Sequence, residues 1–91
     1  MANLSQKLRE IAELETNLNG YLREKEVLDQ NYNTRKDQLI QLSQRAPSFE
    51  RGTELIREMM TLNSEWRRAS DRLNNQIYYT RQIINSKKQQ L

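Results

Sequence analysis

The chain has 91 residues, of which 35% are apolar and 30% charged, with a net charge of +3 and nine each of Asn and Gln. That is one domain at most, with too little apolar material for a rounded core, and it favours a narrow seam between helices. Cysteine and histidine are absent, which excludes a disulfide framework, a Cys/His metal site and the commonest nucleophile and base of catalysis.

Asn3 can cap a first helix, with Gln6 placed to reach back as in a capping box. From Leu4 a spacing of three and four holds without a slip. With Leu4 as position a, the a series is Leu4, Ile11, Leu18, Lys25, Tyr32, Leu39, Ala46, and the d series is Lys7, Leu14, Tyr21, Leu28, Arg35, Leu42. Ten of these thirteen sites are apolar or aromatic, the signature of a coiled-coil seam. Gly20 lies inside the run, but Leu18 and Tyr21 carry the register across it, so a continuous helix is expected at a cost of about 1 kcal/mol relative to alanine. Lys25 and Arg35 can lay their stems along the seam and hold their charges in water.

The only proline, Pro47, disfavours helical geometry at Ala46. Two restarts are open: Ser48 caps the second helix with Glu50 at its positive end, or Thr53 caps it and residues 46–52 form a loop with Gly52. The expected layout is a first helix over about residues 4–45, a bend at 46–52 and a second helix over about 53–90. Its seam runs Leu55, Met59, Leu62, Trp66, Ala69, Leu73, then steps by four again to Ile77 and on through Thr80, Ile84, Lys87 and Leu91. The extra step is a stutter, which locally unwinds a supercoil.

Folding the chain back about Ser48 sets Leu42 against Leu55, Leu39 against Met59, Tyr32 against Trp66, Leu28 against Ala69, Tyr21 against Ile77 and Leu14 against Ile84. Two matched arms of roughly 60 Å each argue for an all-α antiparallel two-helix hairpin of the coiled-coil type. A rod in which Pro47 merely interrupts a long coiled coil is the competing architecture. After Asp71 no acidic residue remains. The hairpin brings this basic end beside Glu10, Glu13 and Glu15, which can neutralise Arg81, Lys87 and Lys88.

A two-helix hairpin covers one face of each arm. Leu8, Leu22, Val27 and Ile40 fall off the first seam, and Ile56, Met60, Tyr78 and Ile83 off the second. A second interface of Leu8, Leu22, Ile56, Met60 and Ile83 is therefore expected, serving a second copy in a four-helix bundle or a helix of another protein. Phe49, in the bend, either folds over the end of the core onto Leu42 or Ile56 or stands at the tip for a partner. Arg72, Tyr78, Tyr79, Arg81, Lys87 and Lys88 combine cations with stacking surfaces and form the alternative, a nucleic-acid face. Arg67-Arg68-Ala69-Ser70 matches a basophilic kinase pattern but borders the seam.

The size and hairpin form resemble the WXG100 proteins, although the Trp-x-Gly turn is replaced here by Pro47-Ser48-Phe49-Glu50 and Trp66 stands inside the second helix. The form is also similar to small helical-hairpin co-chaperones of type III secretion. The expected function is non-enzymatic protein binding, as an adaptor, assembly factor, small chaperone or inhibitor. The expected partners are a second copy in a homodimer and another protein, with no cofactor. The N-terminus lacks the apolar core of a signal peptide and no stretch is apolar enough to span a bilayer, so a cytoplasmic location is expected.

Overall fold

The computed structural model describes residues 3–91. Two helices, α1 (Leu4–Gln44) and α2 (Phe49–Gln89), fold into an antiparallel hairpin with no strand among the described residues. Gly20 is helical, as the unbroken seam requires. Asn3 enters α1 through its main-chain carbonyl, which accepts from Lys7 N–H at 3.1 Å. Among the described residues its side chain makes no capping bond, so the expected capping box does not form.

The bend is shorter than expected and lies earlier. It comprises residues 45–48, and α2 begins at Phe49 rather than near Thr53. Ser48 is the cap: Arg51 N–H donates to its Oγ at 3.1 Å, and Gly52 N–H donates to its carbonyl at 3.1 Å. Glu50 occupies the first turn, at the positive end of the helix. Gly52 is thus inside the helix and not part of a loop. At the other side, α1 closes with tighter bonds from Arg45 N–H to Leu42 and from Ala46 N–H to Ser43, and Pro47 keeps Ala46 out of the helix.

The hairpin consists of two compact units, each built from a length of both helices. The tip unit is Glu26–Ser70, and the terminal unit is Met1–Lys25 with Asp71–Leu91. On α2 the division falls between Ser70 and Asp71, just before the stutter; Ser70 is buried and Ala69 half-buried.

In the tip unit Leu39 and Leu55 are almost wholly buried. Leu42, expected to face Leu55, is not buried with it. Leu42 is 46% exposed, and the half-buried neighbour Ser43 takes the inward position instead. From Leu39 the covered positions continue at Ser43 and Ala46; Ala46 keeps the a series, and only Ser43 departs from the heptads before it. In the terminal unit the buried set is Ile11, Leu73, Ile77, Thr80 and Ile84, which follows the expected seam through the stutter. Leu4 and Leu91, at the ends of that seam, are exposed.

Candidate protein interface

The tip unit is organised by one aromatic pair. Tyr32 and Trp66 stack with ring centroids 4.6 Å apart and planes 19° from parallel. Both stand at seam positions that the fold sets opposite one another. On one flank the pair is tied down: Trp66 Nε1–H donates to Asp29 Oδ1 at 2.8 Å, and Tyr32 O–H donates to Asn63 Oδ1 at 3.2 Å. Lys36 Nζ lies 5.7 Å from the Tyr32 ring centroid, within cation–π range. On the other flank the pair opens into a mainly apolar groove of about 390 Å³, walled by Leu28, Leu62 and Ala69 and rimmed by Asn31, Arg35 and Glu65. Arg35 reaches across to Glu58 at 3.5 Å, so its charge sits at the surface as expected. The groove was missed in the sequence because Tyr32 and Trp66 read as ordinary seam residues. Its only signal was the polar run Asn31, Arg35 and Glu65 along one side of them.

Three of the six predicted interface residues belong to the tip unit, and all three lie on α2. Phe49 does not fold over the core. It is 90% exposed, the first residue of its helix, with its side chain clear of the seam. Ile56 and Met60 are 52% and 65% exposed. At about 100° per residue, Phe49, Thr53, Ile56 and Met60 fall within one narrow stripe. The stripe ends at the bend on one side and at the polar residues Asn63, Ser64 and Arg67 on the other. The earlier start of α2 is what brings Phe49 into line with it.

In the terminal unit the charge pairing forms largely as expected. Lys87 Nζ donates to Glu10 Oε2 at 3.0 Å, and Lys88 Nζ lies 3.5 Å from Glu15 Oε1. The hydrogen bond from Lys87, with its charge, holds the Glu10 carboxyl below its ordinary pKa. Lys7 Nζ reaches the Gln90 carbonyl at 3.5 Å. Arg81 and Glu13 take no ion pair among the described residues, contrary to the expectation for Arg81. Glu15, Leu18, Arg81, Ile84 and Lys88 line a shallow groove together with Asn19 and Asn85. Leu8 and Leu22, both exposed, stand one heptad either side of Glu15, on that flank. Ile83 is exposed too, but it leaves Ile84 on the side opposite Asn85. The three predicted interface residues of this unit therefore occupy two flanks.

The predicted anion-binding residues also lie in the terminal unit. Arg72 and Arg81 are exposed, Tyr78 and Tyr79 are exposed and meet edge to face at 5.4 Å, and Lys87 and Lys88 are held by their glutamates. Ser70, buried at 7% exposure, is closed to a kinase in the folded hairpin. No helix among the described residues is long and apolar enough to cross a membrane. Compared with protein-family models, curated proteins and solved structures, the chain matches none.

Proposed function

We propose that this chain is a non-enzymatic protein-interaction module, an adaptor, assembly factor, small chaperone or inhibitor. It presents a helical face to a partner protein and associates with itself. One observation carries the reading. Among the described residues twelve large apolar side chains are exposed, whereas the buried hydrophobic core has six. A chain this poor in apolar residues that leaves so many uncovered carries surface for a cover. The Phe49–Ile56–Met60 stripe and the Leu8–Leu22 line are each laid out as a helix-in-groove contact requires, at helical spacing on one face.

The alternative is a nucleic-acid accessory role for the basic end of α2. It is the weaker reading, since Lys87 and Lys88 are already engaged by Glu10 and Glu15. A salt titration separates the two, because phosphate neutralisation demands a steep fall of affinity with salt. The interaction reading is tested by affinity capture followed by reconstitution with the purified partner. Wild type is compared with a Leu8→Lys/Leu22→Lys variant and an Ile56→Lys/Met60→Lys variant. At least one pair should cut partner affinity tenfold or more while helicity measured by circular dichroism stays unchanged. If the affinity survives both pairs, the proposed faces are wrong.

A further inference from the structure

We infer that the tip stripe of α2 docks on the same stripe of a second copy, antiparallel, with Phe49 of each chain covering Met60 of the other. This rests on the interaction reading and gives its tip surface a definite occupant.

The stripe is self-complementary about a two-fold axis. A two-fold contact presents one patch to itself, so residues near one end must suit those near the other. Reversing the stripe sets the large ring of Phe49 against the flexible Met60 side chain, a favourable sulfur–aromatic pairing. It sets Ile56 against the smaller Thr53. The charges along the outer edge agree with this order. Glu50 and Arg57 stand on that edge, seven residues apart and hence on one line. Among the described residues neither takes an ion pair within the chain, although Arg51 and Glu54 close by do so at 3.0 Å. In the antiparallel pairing Glu50 of each copy lies within reach of Arg57 of the other, twice by symmetry.

The area sets the strength. Covering Phe49, Ile56 and Met60 removes roughly 400 Å² per copy from water. The total is below the roughly 1,200 Å² of a standard stable interface. The dimer is therefore weak and concentration-dependent, with a dissociation constant in the micromolar range or above.

The full chain has no cysteine among its residues, so crosslinking is clean. Phe49→Cys and Met60→Cys variants are oxidised separately and as a mixture. A disulfide heterodimer is expected in the mixture. Neither variant should crosslink with itself, because equivalent residues are then about 16 Å apart along the axis. Sedimentation equilibrium gives the second readout. Glu50→Arg should weaken the dimer several-fold, and adding Arg57→Glu should restore it. Self-crosslinking of Phe49→Cys alone, failure of the charge reversal to restore the dimer, or a monomer up to millimolar concentration each overturns the pairing. A monomer that still binds a protein through Leu8 and Leu22 overturns the tip dimer and leaves the interaction reading standing.

Discussion

Replacing Trp66 with phenylalanine keeps a ring on Tyr32 and removes one hydrogen bond. The bond runs from Nε1–H to the Asp29 carboxylate at 2.8 Å. A hydrogen bond to a charged group contributes about 1.5–3 kcal/mol when buried. Trp66 and Asp29 are both half-exposed, so water replaces part of what is lost. The expected destabilisation is about 1–1.5 kcal/mol. Trp66→Ala also removes the stack, which adds about 0.5–1.5 kcal/mol beyond burial, and should cost about 3 kcal/mol in total. Urea unfolding followed at 222 nm measures both, at fixed protein concentration because self-association links stability to concentration. With a slope of roughly 1–2 kcal/mol per molar urea, Trp66→Phe moves the midpoint by about 1 M. A double-mutant cycle on Tyr32→Ala and Trp66→Ala should give a coupling near 1 kcal/mol. A coupling below about 0.3 kcal/mol would refute the view that this pair organises the tip unit.

Three further expectations follow from local geometry. Gly20→Ala should raise stability by about 1 kcal/mol, since a Cβ built there meets nothing within 4 Å; a loss of stability in the same urea assay would show that something else approaches that backbone. Ser48→Ala should cost about 1 kcal/mol by removing the cap on Arg51 N–H, and Ser48→Asp should cost little. Glu10 is held below its ordinary pKa by Lys87, so its contribution is present above the unfolded value and lost as pH falls through the folded one. Glu10→Gln should therefore flatten the acid side of the stability profile, below the ordinary glutamate range, and leave the slope above neutral pH unchanged; an unaltered acid limb would deny Glu10–Lys87 any energetic role.

Much of the hairpin was legible in the chain itself, for reasons that can be traced to particular residues. Two apolar series of equal length on either side of Pro47 admit few registers. The one that folds about Ser48 predicted the facing of Tyr32 and Trp66 and the approach of Lys87 to Glu10. Hydrophobic spacing is a property of the backbone helix, so it survives any choice of side-chain detail. The start of α2 was not legible, because Ser48 and Thr53 are both competent caps and Pro47 allows either restart. The inward turn of Ser43 in place of Leu42 was not legible for a different reason. It is a local matter of burial at the end of α1, where Ser43 is covered and Leu42 is not.

The candidate site divides along the same line. That Leu8, Leu22, Ile56, Met60 and Ile83 fall off the seams follows from periodicity alone, as does the meeting of Glu10 and Glu15 with the basic end. Which glutamate each lysine takes depended on side-chain reach: Lys88 passes Glu13 and takes Glu15, which lines the same shallow groove. The alignment of Phe49 with Ile56 and Met60 was decided by the capping bond at Ser48. By itself the sequence determined two helices, their order and their register, since these follow from the spacing of apolar residues and the stiffness of one proline. Only the tertiary structure decided which apolar residues stay uncovered as a stripe, because that depends on where a helix begins, and capping is settled by three-dimensional hydrogen bonding.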